Sequence, residues 1–150
     1  MSPAGPIRVL FVCSHNSARS QIAEALLRDY GGAGFEVASA GTEPGHVNPF
    51  AVEVLREVGI DWSGALSKPV TYFLRQRFDY VITVCDRARE TCPVFPGAET
   101  TLHWGIDDPA GMQGTDAEKL EAFRRTRLEV AVRLRPFIEV ALAAAGRRAS

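Results

Sequence analysis

Arg8-Val9-Leu10-Phe11-Val12 runs directly into Cys13-Ser14-His15-Asn16-Ser17-Ala18-Arg19-Ser20. The first five residues have the β-branched and aromatic character of a strand buried on both faces. The next six are mostly small and polar. From Ser20 to Tyr30 the pattern turns helical, with Ile22, Ala23, Leu26, Leu27 and Tyr30 at three- and four-residue spacing. Gly31-Gly32 then stops the helix. Strand, tight loop and helix N-terminus in that order make an anion cradle, because successive backbone N–H groups point inward and the helix dipole adds positive charge. Arg19 adds a planar two-pronged donor suited to a tetrahedral oxyanion. The same positive field favours the thiolate form of Cys13 near neutral pH and so makes it a nucleophile. Asn16 can fix the loop by side-chain bonds to backbone, and Ser20 can donate to the thiolate. Residues Ser14, His15, Asn16, Ser17, Ala18, Arg19 and Ser20 are therefore the expected binding loop. The Cys-x5-Arg spacing alone is weak in a chain rich in arginine; its flanking strand and helix carry the assignment.

Outward from this unit, Phe35 to Ala38 reads as a second strand. Asn48 to Val58 reads as a helix with Asn48 as N-cap, Pro49 in the first turn and Gly59 closing it. Tyr72 to Arg77 is a weaker helix, Asp79 to Val84 a clear strand and Thr100 to Trp104 a fourth. The last helix starts at Thr115, which forms a capping-box pair with Glu118. Leu120, Phe123, Val130, Leu134, Phe137 and Ala141 mark its buried face. Pro136 inside it predicts a kink or a break, and Gly146 to Ser150 should fray. Alternating strands and helices imply a single α/β domain. Its four-stranded parallel sheet, in the order 2-1-3-4 with helices on both faces, binds ligand at the carboxyl edge.

The chain has 150 residues, 46% hydrophobic and 23% charged, with a formal charge of -1. That suits one domain over residues 1–150, with a core from about 7 to 145 and flexible ends. Wholesale disorder and fibrous folds are excluded. The near-neutral charge leaves no electrostatic footprint for nucleic acid or a membrane surface, and no apolar run reaches the length of a membrane span. The apolar run from Ile7 to Cys13 is too short for a signal peptide and lacks a basic leader, so the cytoplasm is the expected location. Three unevenly spaced cysteines argue against a structural disulfide framework.

Cys85 ends the third strand, at the edge where Cys13 also sits, and Cys92 follows after six residues. If that segment is helical, Cys92 stands about 10 Å along the axis from Cys85, so joining the two requires the segment to bend or unwind. On spacing, two further readings stay open: a pair of small buried residues, or zinc held by Cys85, Cys92 and His103, for which the spacing is wrong and a fourth ligand is missing. Asp107-Asp108-Pro109 follows the fourth strand, also at the ligand edge. It reads either as a turn or as an acid able to protonate a leaving oxygen.

The stretch from Val12 to Ser20 resembles the phosphate loop of the low-molecular-weight protein tyrosine phosphatase superfamily. Within it, Ser39-Ala40-Gly41-Thr42, Val47-Asn48-Pro49, Ile60-Asp61, Val84-Cys85, Cys92-Pro93 and His103 to Pro109 resemble the thioredoxin-coupled arsenate reductases, over roughly residues 7 to 138. The resemblance implies that Cys13 is the nucleophile, Arg19 the anion-binding arginine, Asn16 and Ser20 its supports, and Asp108 the general acid. It also implies a relay in which Cys85 and then Cys92 carry the disulfide outward to thioredoxin, the electron donor, with no bound cofactor. Phosphatases of this fold place an aromatic after the proline, where Ala110-Gly111 stands here, which favours a small inorganic substrate: arsenate, with phosphate or sulfate as competitors. They also often carry a second cysteine before the loop arginine, where Ala18 stands here. Potassium-binding members of the reductase family use positions corresponding to Asn16, Glu24, Ser39 and Lys68. An aspartate is expected where Lys68 stands, so little activation by potassium is expected. No structural or catalytic metal is expected, and the protein is expected to act as a monomer. His15 reads as a loop residue that could bond substrate or backbone, and His46 and His103 as ordinary loop and core residues. Two alternatives accompany this reading: a phosphatase for small phosphate esters, and a non-enzymatic oxyanion-binding redox switch.

Overall fold

A computed structural model of the chain describes residues 5–85 and 94–149. Four parallel strands, β1 (Ile7–Cys13), β2 (Phe35–Gly41), β3 (Phe78–Thr83) and β4 (Ala98–His103), form one sheet in the order β2-β1-β3-β4. This is the expected topology. Val9, Leu10, Phe11 and Val12 of β1 are all fully buried, so neighbouring residues that point to opposite faces are both covered. That burial on both faces is what the unbroken apolar run predicts of a central parallel strand.

Helix α1 (Arg19–Gly31) and the long helix α3 (Asp116–Ala149) cover the face that bears Phe11. Ser39, opposite Phe11 across the strand pair, bonds Glu24 of α1, and Phe137 of α3 makes ring contacts with Phe35, Tyr80 and Trp104. Helix α2 (Pro49–Arg56) packs on α3 through Phe50 and Phe123, with ring centroids 5.5 Å apart. It begins as the sequence predicts, the Asn48 side chain accepting from the Phe50 amide at 2.8 Å, and stops two residues early at Arg56 before the turn to Gly59. The capping box of α3 is formed, with Thr115 N–H on Glu118 Oε1 at 3.0 Å and Glu118 N–H on Thr115 Oγ1 at 3.1 Å.

Two local expectations are corrected. Tyr72 to Arg77 does not form a helix; a 3-10 turn over Val70–Phe73 stands there instead. Only Val70 and Phe73 of that turn enter the core, and Tyr72 is exposed, so nothing anchors a longer amphipathic face. Of the kink or break expected at Pro136, the break does not occur: α3 stays helical from Asp116 to Ala149, beyond the fraying expected at Gly146. Pro136 and Val132, whose carbonyl loses its helical donor, both lie on the exposed side, where that carbonyl is open to solvent and the lost bond costs little. Among the described residues no helix is long and apolar enough to cross a membrane.

Candidate active site

The loop after β1 is held from outside by its carbonyls. Those of Cys13, Ser14 and His15 accept from the amides of Thr42, Glu43 and Gly45 at 3.1, 2.7 and 3.1 Å, and that of Ser17 from Asn48 at 2.9 Å. The Asn16 carbonyl accepts from the Gln21 carboxamide at 3.1 Å. With every carbonyl engaged outward, the amides of residues 14 to 19 turn inward and have no acceptor among the described residues. This close approach depends on Gly41 at the end of β2, where a Cβ would stand 2.7 Å from the Ser14 carbonyl oxygen and 2.9 Å from the Asn16 nitrogen. Asn16 itself occupies the left-handed region at φ 50°, which asparagine tolerates better than most residues.

Helix α1 opens directly from this loop. Its N-cap is Ala18, which makes no side-chain cap, and no acidic residue stands in its first turn. The uncapped amides and the dipole are thus left facing the loop interior. An ordinary N-cap serine or aspartate in place of Ala18 would stabilise the helix by about 1 kcal/mol but would fill that space with an acceptor.

Cys13, the last residue of β1, is 2% exposed, and its sulfur lies 2.9 Å from the Ser20 hydroxyl. Hydrogen-bond polarity settles which atom donates. The Lys68 backbone N–H reaches Asn16 Oδ1 at 2.9 Å and can only donate, so Asn16 turns Nδ2 toward Ser20 Oγ at 2.8 Å and Ser39 Oγ at 2.9 Å. Ser39 spends its proton on Glu24 Oε1 at 2.6 Å. Ser20, already accepting from Asn16 and with no other acceptor for its proton among the described residues, directs that proton to the Cys13 sulfur. Such a donor stabilises a thiolate.

Arg19, whose side chain is 13% exposed, donates to the Ile106 carbonyl at 3.0 Å and lies 3.7 Å from Asp108 Oδ2. Asp108 caps the 3-10 turn Pro109–Gly111 by accepting from the Ala110 amide at 3.0 Å. The turn reading and the acid reading of Asp108 are therefore compatible: one oxygen holds the turn and the other faces the anion site. Asp107 is exposed beside it. Two clefts meet at His15, Arg19 and Asp108. One, of about 320 Å³, opens on Cys13 and is walled by Ser17, Ala18 and residues 45–49; the other, of about 430 Å³, opens on Ser14, Cys85 and Ile106.

Cys85 is buried like Cys13, at 4% exposed. The Val84 amide donates to the Val12 carbonyl at 2.9 Å, so the two cysteines leave adjacent strands side by side. The Ser14 hydroxyl, next to Cys13 in the chain, lies 3.4 Å from the Cys85 sulfur. Cys92 and the segment joining it to Cys85, where bending was expected, lie outside the described residues.

The histidines divide as expected, with one addition. His15 bonds the Glu43 carbonyl through Nδ1 at 2.9 Å, and His103 Nδ1 bonds Thr83 Oγ1 at 2.8 Å. His46, read as an ordinary loop residue, lines the Cys13 cleft. Sequence reasoning also passed over Gln21 and Trp62. Gln21 has no exposed surface, and the one available signal was a long polar side chain one residue beyond the loop, next to the apolar Ile22-Ala23 pair.

Behind the loop, the buried Glu24 carboxylate meets Arg28 at 2.7 Å and the Lys68 ammonium at 3.9 Å. Burial holds Lys68 below the usual lysine pKa, with Glu24 pulling it up and Arg28 pushing it down.

The family model described as low molecular weight phosphotyrosine protein phosphatase matches residues 8–146. An arsenate reductase of Halalkalibacterium halodurans is 44% identical over 131 residues, covering 87% of this chain and 94% of that protein. A solved arsenate reductase in the phosphate binding state superposes with a TM-score of 0.78 at 35% identity, covering 90% of this chain and 98% of the other. A thioredoxin-dependent arsenate reductase of Corynebacterium glutamicum superposes with a TM-score of 0.67 at 36% identity, covering 92% of this chain and 65% of the other.

Proposed function

The chain belongs to the low molecular weight phosphotyrosine protein phosphatase family, and within that family we propose that it reduces arsenate to arsenite through a three-cysteine relay served by thioredoxin. The observation that carries this reading is the second thiol. Cys85 stands at the mouth of the anion loop, its sulfur 3.4 Å from the Ser14 hydroxyl, where a phosphatase has no use for it.

Arsenate, isosteric with phosphate, sits against the loop amides and the Arg19 guanidinium. The Cys13 thiolate attacks arsenic, forming an S–As bond while the As–O bond to one hydroxyl breaks. Asp108 gives that oxygen its proton, so it leaves as water. The Cys85 thiolate then attacks the Cys13 sulfur. The S–As bond breaks with its electron pair staying on arsenic, which falls from the +5 to the +3 state and departs as arsenite, while the two sulfurs are oxidised to a disulfide. Cys92 next attacks Cys85, releasing Cys13 as a thiolate and leaving a Cys85–Cys92 disulfide. Reduced thioredoxin, a dithiol, returns that pair to thiols by exchange. The outcome for the cell is arsenic detoxification.

Lys68 gives this chain its own cation behind the loop. Its ammonium lies 3.9 Å from Glu24 Oε1 and donates to the Leu66 carbonyl at 2.9 Å. Replacing sodium with potassium should therefore leave rate and melting temperature nearly unchanged, and a several-fold rise in rate would remove this element of the proposal.

The deciding measurement is NADPH consumption with thioredoxin and thioredoxin reductase, with and without arsenate, for wild type and Cys85→Ser. Arsenate-dependent consumption that disappears in the variant is the expected result. Hydrolysis of a phosphate ester that needs no reductant and survives Cys85→Ser, with no NADPH consumed, would make the protein a small-substrate phosphatase. Oxyanion binding without either turnover would leave a redox switch. The relay has its own signature: Cys92→Ser should stop after about one turnover with Cys13 joined to Cys85, as peptide mapping would reveal.

A further inference from the structure

Gln21 is a wholly buried amide in the first turn of α1, and both ends of its carboxamide are used. The Trp62 indole N–H, which can only donate, meets Gln21 Oε1 at 2.8 Å. That fixes the orientation of the amide and turns Nε2 to the Asn16 backbone carbonyl at 3.1 Å, Asn16 Oδ1 at 3.0 Å and the Leu66 carbonyl at 3.0 Å. From Asn16 the same sense continues, Nδ2 to Ser20 Oγ at 2.8 Å and Ser20 to the Cys13 sulfur at 2.9 Å. Four hydrogen bonds thus run head to tail from the half-buried Trp62 to the nucleophile, every member donating toward Cys13. Bonds aligned in this way polarise one another. The chain begins on a loop 41 residues away in sequence, and the Arg28 guanidinium lies over the Trp62 ring, 5.8 Å from its centroid.

The geometry points to Gln21 as a positioning residue, with Trp62 as its anchor, which fixes Asn16 in its left-handed conformation and keeps the Ser20 proton aimed at Cys13. This deepens the proposed reaction and rests on Cys13 being its nucleophile. The Lys68 amide also holds Asn16 Oδ1, so loss of Gln21 weakens the arrangement without abolishing it.

The test is the rate of Cys13 alkylation by iodoacetamide as a function of pH, followed on the Cys13 peptide by mass spectrometry. Gln21→Leu keeps the volume and loses both ends of the amide; Gln21→Glu keeps the acceptor for Trp62 and loses the donor to Asn16. Both should alkylate about three- to tenfold more slowly at neutral pH, the worth of one hydrogen bond, and regain the rate at higher pH. Trp62→Phe should show a smaller loss in the same direction, and it decides the matter if the Gln21 variants do not melt cooperatively. Alkylation by all folded variants at the wild-type rate across the pH range would overturn the proposal, as would slowing that higher pH does not relieve, which would mark mere steric disturbance. Arsenate takes no part in this readout. A wrong substrate assignment would therefore show in the coupled NADPH assay and leave the alkylation result standing.

Discussion

The two ends of the same sheet treat buried polar groups in opposite ways. At the amino edge Arg8 reaches Glu36 at 3.1 Å, Gln76 at 2.8 Å and the Arg77 carbonyl, while its guanidinium lies over the Phe78 ring. The buried Asp79 there accepts from the Arg8 amide at 2.8 Å and from Arg77 at 3.1 Å, and Arg77 continues to Glu99 at 2.9 Å. Charge is met by charge and the network closes on itself. At the carboxyl edge the loop carbonyls are equally well bound, but the amides of residues 14 to 19 have no acceptor among the described residues and are left as donors. One edge is satisfied internally and contributes stability. The other is fully braced on its outer side so that its inner side can wait for an anion. Unsatisfied donors at a rigid, electropositive point are what distinguish a site from a clamp.

The largest effect should come from letting the brace move. Gly41→Ala places a methyl carbon less than 3 Å from three backbone atoms of the loop, none of which belongs to a flexible side chain. The loop must shift, and a displacement of about 1 Å in a positioned site costs on the order of 100-fold in rate. Arsenate-dependent kcat/KM should fall by about that factor while the protein still melts cooperatively. A variant with near wild-type kcat/KM would mean that the loop is less tightly determined than its hydrogen bonds imply.

The opposite edge should show the reverse signature. Asp79→Ala leaves the Arg8 amide without its acceptor at a part-buried point and leaves the exposed Arg77 guanidinium with Glu99 alone, and should cost about 1–2 kcal/mol of stability by denaturant unfolding. The kcat/KM of the folded protein should stay within about twofold of wild type, because nothing at that edge touches the clefts. Loss of turnover without loss of stability would break the division between the two edges.

Much of this division was legible in the sequence. A buried strand, a small polar loop and a helix start announce the cradle locally, within about twenty residues, and the alternation of elements yields the sheet order from handedness. Cys85 and Asp108 could be placed at the ligand edge because strand ends in a parallel sheet share it. What escaped depends on contacts between distant segments. Trp62 meets Gln21 across 41 residues, and the Gly41 approach to residues 14–16 depends on how two loops nest. Neither leaves a periodic trace. The helix expected over Tyr72 to Arg77 failed for a related reason: its contiguous Tyr72-Phe73-Leu74 run looks apolar, but only Phe73 of the three is fully buried.

The smallest effect should come from a charge cluster that belongs to neither edge. Glu57, just beyond α2, accepts from Arg124 at 2.7 Å and Arg127 at 3.0 Å and so ties α2 to α3. The Arg124 hydrogen bond, opposed by some burial and aided by Arg127, holds the Glu57 carboxyl down at about 2, below its usual 4.5. A lowered carboxylate pKa contributes stability that is complete above the unfolded value and is lost as pH falls through the folded one. The window is therefore from about 4.5 down to about 2. Glu57→Gln should melt a few degrees below wild type at pH 7, where solvent screening already limits the contribution of a partly exposed cluster, and the gap should close as the pH falls across that window. Added salt should shrink the gap at pH 7, whereas the gap between wild type and Asp79→Ala should hardly respond, since Asp79 is buried and Glu57 is not. Equal salt sensitivity in the two variants would show that water reaches the amino edge as freely as it reaches the surface. Burial would then not be what separates the two networks.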